Sequence, residues 1–164
     1  MSKIYILCVD DEPDVLEVIV RELEIFEDYF PVETASSADE ARAVIRDIEK
    51  SGDHLGLILC DHVMIGENGV DLLISMQNSD FTLDTRKVLL TGQAGLEATV
   101  DAVNRASLSH YIAKPWSKDE VIKVVKEQMT HFFLRSGHDT LPYAMILDPM
   151  TLAKALHDGL GGDR

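Results

Sequence analysis

Residues 3–16 read KIYILCVDDEPDVL, an apolar run that stops at two adjacent aspartates, Asp10 and Asp11, followed by Glu12 and Pro13. Ile4–Val9 has the composition of a strand, and Pro13 suits the first turn of a helix, where its missing N–H costs nothing. The stretch is therefore one strand-then-helix unit with an acidic turn between its halves. Two carboxylates at about 4 Å repel by on the order of 4 kcal/mol at an effective dielectric near 20, before water and counterions screen them. Either solvent absorbs that cost at a loop, or a cation sits against the pair.

Working outward, the same alternation recurs. Further strands are expected at Pro31–Ala35, Leu57–Cys60, Lys87–Leu90 and His110–Ala113. The runs LILC and KVLL are almost wholly apolar, as in strands buried on both faces of a parallel sheet. Helical spacing fills the intervals. Val15, Ile19, Leu23 and Phe26 stripe Asp14–Phe26, and Ala41, Val44, Ile45 and Ile48 stripe Ala38–Glu49, with Ser37 as its cap. Val70–Met76, Leu96–Ala106 and Lys118–Leu134 complete the set. Five such units predict an α/β fold with one doubly wound parallel sheet and helices on both faces.

After Leu134 the chain turns hydrophilic at RSGHDTLPY. Asp148 and Pro149 then start a short helix expected over 149–158, with Gly159, Gly161 and Gly162 to stop it. Leu152, Leu156 and Leu160 would line one side of it. That helix can pack back on the domain, pair with a second chain or lead into something longer.

Fifteen Lys and Arg against 29 Asp and Glu leave a net charge of -14. This balance excludes a direct nucleic-acid surface and docking on an anionic membrane. No apolar run approaches the roughly 18 residues of a membrane span, and MSKIYIL lacks the layout of a signal peptide. Cys8 and Cys60 lie inside apolar runs without metal-ligand spacing, so they read as small buried residues in a reducing cytoplasm. His54, His110, His131, His138 and His157 likewise show no ligand spacing. His62 reads as a loop residue, and Trp116 as hydrophobic cover.

Ligands of open parallel sheets bind beyond the carboxyl ends of the strands. The residues there are Asp10 and Asp11, Asp61, Thr91 and Gly92, and Lys114 with Pro115. Three carboxylates make a hard-oxygen site suited to Mg²⁺. A lysine supplies a point charge for a phosphate oxygen, the Thr91 hydroxyl another donor, and Gly92 room for close approach. Together they are the equipment of phosphoryl transfer, and the cation explains why Asp10 and Asp11 tolerate each other.

CVDDEPDVL, LILCDHVMIGENGVDLL, VLLTGQAG and YIAKPW, in that order over Ile4 to Leu134, resemble the receiver domain of two-component response regulators. The resemblance implies a flavodoxin-like five-stranded sheet in the order 2-1-3-4-5, a receiver domain over 1–136 and a tail over 137–164. It implies that a sensor histidine kinase or phosphotransfer protein donates a phosphoryl group to Asp61. Asp11, Asp61 and the backbone carbonyl of Val63 would bind Mg²⁺, with Asp10 acting through metal-bound water. Thr91, Gly92 and Lys114 would hold the phosphoryl group, and Lys114–Pro115 would be a cis peptide. Thr91 and Tyr111 would form the switch, Gly69 the turn that starts the third helix, and Val63 and Gln93 would tune dephosphorylation. The chain would be a phosphoacceptor that promotes its own phosphorylation and dephosphorylation rather than an enzyme.

In place of the proline common after the Met of the acceptor loop stand Ile65 and Gly66. The output face would lie on Leu96–Ala106, His110–Ala113 and Lys118–Leu134, read by a second copy, an output domain or another protein. A homodimer through that face or through the C-terminal helix is one expectation. The alternatives are an Mg²⁺-dependent aspartyl-phosphate hydrolase and an inert receiver-like interaction module. The hydrolase would want an acid two residues after Asp61, where Val63 stands; the complete acid, hydroxyl and lysine set opposes the inert module. About 30 residues follow Leu134, too few for the usual DNA-binding or catalytic output domain, so both a stand-alone receiver and part of a longer chain stay open.

Overall fold

The computed structural model describes residues 1–92, 104, 105 and 107–161, the last two of these by backbone alone. Five parallel strands, β1 (Ile4–Val9), β2 (Val32–Ala35), β3 (His54–Asp61), β4 (Arg86–Thr91) and β5 (His110–Ala113), form one sheet in the order β2-β1-β3-β4-β5. The helices are α1 (Pro13–Glu22), α2 (Ala38–Lys50), α3 (Gly69–Ser75), α4 (Lys118–Ser136) and α5 (Pro149–Gly161). Gln93 and the helix expected over Leu96–Ala106 lie outside the described residues, apart from 104 and 105.

Alternation along the strands sends side chains to two cores. Ile4, Ile6, Cys8, Leu57, Leu59, Val88, Leu90 and Ile112 meet Ile19 of α1, Leu23 just past its end, and Val121, Val125 and Met129 of α4. On the other face Leu7, Val9, Ile58, Cys60 and Leu89 meet Ala41, Ile45 and Ile48 of α2 and Leu72 and Leu73 of α3. Side-chain caps fix three helix starts: Ser37, Asn68 and Ser117 accept from the N–H groups of Glu40, Asp71 and Glu120.

Most boundaries fall within two residues of the sequence reading and three move further. One of these is the last helix, which runs on through Gly159 to Gly161, so these two glycines, expected to stop it, lie within it. The first helix ends at Glu22, and its apolar stripe continues through a 3-10 turn over Glu24–Phe26 that still buries Phe26. β3 begins three residues earlier, at His54, because Gly56 interrupts the apolar run without interrupting the strand. A Cβ at Gly56 would come within 2.9 Å of Ile4 and 2.8 Å of Met129, so the position is closed by packing.

The segment after α4, hydrophilic by composition, returns to the core. Gly137 turns the chain at φ 80, the left-handed conformation that glycine adopts freely. Tyr143 then stacks on Phe30 with ring centroids 5.2 Å apart, and Ile146 and Leu147 are buried. The Asp148 N–H donates to Thr130 Oγ1 at 2.8 Å, and Asp148 Oδ2 accepts from the Thr151 N–H at 2.9 Å, which caps α5 and ties it to α4. Leu152 packs on the core, while Met150 and Leu156 remain exposed.

Candidate functional site

Register brings the strand ends level. Val9 pairs with Cys60, Asp61 with Leu90, and Thr91 with Ala113. Asp10, Asp61, Thr91 and Lys114, each at or one residue past a strand end, therefore share one edge of the sheet. β1, β3 and β4 are buried along nearly their whole length, so Asp10, Asp61 and Thr91 are placed by the core; Lys114 follows β5, in which only Ile112 is buried.

Asp61 is buried, and Lys114 Nζ donates to its Oδ1 at 2.7 Å. Asp10 is fully buried; its Oδ1 accepts from the Glu12 N–H at 2.9 Å. Among the described residues its Oδ2 has no hydrogen-bond partner, with Lys114 Nζ 3.9 Å away. Asp11 Oδ2 accepts from the Ile65 N–H at 2.8 Å and so holds the loop that follows Asp61. Burial raises the Asp10 carboxyl above the ordinary carboxylate value; the Glu12 N–H lowers it, the charge of Asp61 raises it and Lys114 lowers it. Burial pulls the Lys114 ammonium down, but the hydrogen bond and charge of Asp61, with Asp10 and Glu12, leave it above an ordinary lysine.

Ligand atoms of Asp10, Asp11 and Asp61 all lie within 4.8 Å of one another. Three hard oxygens, one of them a buried carboxylate oxygen with nothing bonded to it, fit a small divalent cation such as Mg²⁺. With divalent ions chelated, Asp10 in the folded chain titrates above an unfolded aspartate. Between those two values the folded state holds the extra proton, so stability falls as pH rises through that window and stays lowered above it. Asp10→Asn is therefore expected to melt higher than the wild type at pH 7 in EDTA, with that advantage lost in saturating Mg²⁺. Thermal unfolding under the two conditions checks it, and a variant that melts lower in EDTA would oppose it.

Thr91 is buried at the same edge and its hydroxyl donates to the Gly92 carbonyl at 3.1 Å. Among the described residues nothing lies within 4 Å of where a Gly92 Cβ would stand. Lys114–Pro115 is a cis peptide. The Val63 side chain is exposed, and Tyr111 is exposed on β5 with its ring stacked on His110. Cys8 and Cys60 are free and buried, and burial pushes the Cys8 thiol up to about 12, so it stays protonated.

Two features carry no signal in the sequence. Arg42 of α2 donates from Nη1 to Glu67 Oε1 at 2.8 Å and from Nη2 to Ser75 Oγ at 3.1 Å. This clamp fastens the loop that follows Asp61 to α2 and α3 where Ile65 and Gly66 supply no stiffness. Its three members lie on separate elements, so only the tertiary fold joins them. Beside Lys114, Val15 and Val18 of α1 with Pro115 and Trp116 line an apolar cleft of about 390 Å³, and Trp116 Nε1 donates to Glu22 Oε1 at 2.8 Å.

Known proteins share this chain's sequence pattern and fold. The sequence profile of the response regulator receiver domain matches residues 6–126. The hydrogenase transcriptional regulatory protein HoxA of Cupriavidus necator is 33% identical over 122 residues, 74% of this chain and 23% of that protein. The phosphate regulon transcriptional regulatory protein PhoB of Pseudomonas aeruginosa is 30% identical over 121 residues, 74% of this chain and 49% of that protein. This chain thus spans only about a quarter to a half of these relatives. A CheY-like receiver domain structure from Methanospirillum hungatei superposes with a TM-score of 0.68 at 27% identity, covering 82% of this chain and 99% of that one. The chain belongs to the response regulator receiver domain family of two-component signal transduction.

Proposed function

We propose that this chain is a phosphorylation-controlled switch whose acceptor is Asp61. The observation that carries the reading is the pairing of a buried Asp61 with Lys114 at 2.7 Å, beside a buried Asp10 with one bare oxygen. A carboxylate oxygen of Asp61 attacks the phosphorus of a phosphohistidine on a sensor kinase or phosphotransfer protein. The new O–P bond forms as the P–N bond breaks, and the imidazole nitrogen keeps the electron pair. Lys114 then follows the charge from carboxylate to phosphoryl oxygen, and the Thr91 hydroxyl, held locally by Gly92, turns to a second phosphoryl oxygen. Asp11, Asp61 and the Val63 carbonyl, with Asp10 acting through metal-bound water, would hold Mg²⁺, which would supply neutralisation of the charge on both partners. The apolar cleft of Val15, Val18, Pro115 and Trp116 gives a protein donor its docking surface next to Lys114.

Loss of the Asp61–Lys114 contact and inward movement of Thr91 bias Tyr111, which stands exposed on the neighbouring strand, and so the face that β5 and α4 present. A second copy of the chain, an output domain or another protein reads that face. The names of HoxA and PhoB point to transcriptional output in those proteins, and an output of that kind through a further domain or partner suits this chain. Two buried free thiols suit a reducing compartment, and we place the switch in the cytoplasm.

Purified protein incubated with acetyl phosphate and Mg²⁺ is expected to gain one phosphoryl group by intact mass, and none in EDTA. Adduct formation independent of the metal, or no adduct at any Mg²⁺ concentration, would overturn the reading. Sustained turnover of an external phosphoester would favour the hydrolase instead, which Val63, standing where that chemistry wants an acid, argues against.

A further inference from the structure

At the opposite edge of the sheet, where β4 begins, a lysine is almost wholly buried and faces a pocket. Lys87 is 2% exposed. Its backbone N–H donates to Ser109 Oγ at 3.0 Å, but among the described residues no carboxylate pairs with its ammonium and no acceptor receives a hydrogen bond from it. The charges that shift it are cations: burial first, then Arg135 and Arg86, lower the Lys87 ammonium to about 8. Burial and Arg135 lower Arg86 as well. In a chain of net charge -14, this is a cationic spot held inside the protein.

The three cations line a recessed polar pocket of about 60 Å³, shared with Ser107, Ser109 and Gln77. Asp84 also lines it, and its Oδ1 accepts from Arg135 Nε at 3.1 Å, so one of three positive charges is balanced within the pocket. Arg86 Nε donates to Gln128 Oε1 at 2.9 Å. Ser107 holds φ 51, a left-handed conformation uncommon for a residue with a Cβ, of the kind that tends to persist where a site is built. The volume exceeds several-fold the ~10–15 Å³ that one water needs, and it is far too small for a nucleotide.

We infer that this pocket binds a small oxyanion, of the size and charge of inorganic phosphate or sulfate. The ammonium of Lys87 supplies a point charge, the guanidinium groups of Arg86 and Arg135 paired donors, and the serine hydroxyls the remaining hydrogen bonds. The anion supplies the counter-charge that the described residues withhold from Lys87. It also bridges the start of β4 to the entry of β5 and the end of α4, at the far edge of the sheet from Asp61.

Inorganic phosphate, titrated calorimetrically in EDTA with sodium chloride holding the ionic strength constant, tests this on the wild type, Lys87→Met, Arg135→Gln and Lys114→Met. Saturable binding is expected to survive in Lys114→Met, to weaken about tenfold or more in Lys87→Met, and to weaken measurably in Arg135→Gln, which lies at the exposed rim. Lys87→Met is expected to melt no lower than the wild type in chloride, since it removes a buried charge. Should it fail to fold, Arg135→Gln and Lys114→Met still decide the matter. No saturable binding to the wild type, binding lost in Lys114→Met, or binding unchanged in both Lys87→Met and Arg135→Gln would overturn the inference.

Discussion

Asp61→Asn is expected to reduce the phosphoryl adduct from one per chain to background while leaving the fold intact. The amide oxygen still accepts from Lys114 Nζ, which donates to Asp61 Oδ1 at 2.7 Å in the wild type, so the substitution preserves the shape of the edge and its principal contact. What disappears is the anionic oxygen that would form the bond to phosphorus. Removing that charge also relieves Asp10, whose carboxyl Asp61 pushes upward. The variant is therefore expected to melt at or above the wild type in EDTA, which separates loss of chemistry from loss of structure. Asp71→Asn, on the exposed side of α3, serves as control and is expected to phosphorylate at the wild-type rate. Intact mass after acetyl phosphate treatment reads the outcome. An adduct equally abundant on Asp61→Asn would place the acceptor elsewhere, and the neighbouring Asp10 and Asp11 would become the residues to substitute next.

The edge proposed to carry this chemistry was legible because an open parallel sheet gathers the residues after its strands at one rim, whatever their distance in sequence. Asp10, Asp61, Thr91 and Lys114 are spread over more than a hundred positions, yet each follows an apolar run that cannot be mistaken for a loop. Features depending on contacts between side chains of unrelated segments left no such trace. Arg42 and Glu67 look like ordinary solvated charges until the fold sets them 2.8 Å apart. The tail that delivers Tyr143, Ile146 and Leu147 to Phe30 and the core has no regular period to read, since its turns are 3-10 and irregular. Lys87 opened the run KVLL as the polar end of a strand. Its burial follows from β4 starting a residue earlier, at Arg86, and from the covering Ser107–Ser109 segment. Periodicity finds elements, and strand ends find the site, but charge pairs and late-docking tails belong to tertiary geometry alone.

Gly69→Ala is expected to cost about 2 kcal/mol or more and to slow phosphorylation along with it. Gly69 opens α3 directly behind the acceptor, its N–H donating to the His62 carbonyl at 2.8 Å. A Cβ there would fall far inside contact distance of the Asp61 carbonyl oxygen, and 3.0 Å from both the Asp61 carbonyl carbon and Cys60 Sγ. Those obstacles are mostly the backbone of β3, which is paired to β1 and β4 on either side and cannot yield without carrying Asp61 with it. Alanine would by itself favour the helix by about 1 kcal/mol, but overpacking of this kind typically costs about 1–3 kcal/mol and occasionally more. A rigid obstacle puts the cost at the upper end, and a chain of this size melts roughly 2–4 °C lower for each kcal/mol lost. Gly92→Ala, whose Cβ would meet none of the described residues, is expected to stay within about 0.5 kcal/mol of the wild type. Denaturant unfolding of the two variants, with the acetyl phosphate rate measured on each, distinguishes a glycine required by the acceptor's backbone from one that merely lies nearby. If Gly69→Ala unfolds and phosphorylates like the wild type, α3 does not press on Asp61, and the placement of the acceptor must come from Lys114 and the strand register alone.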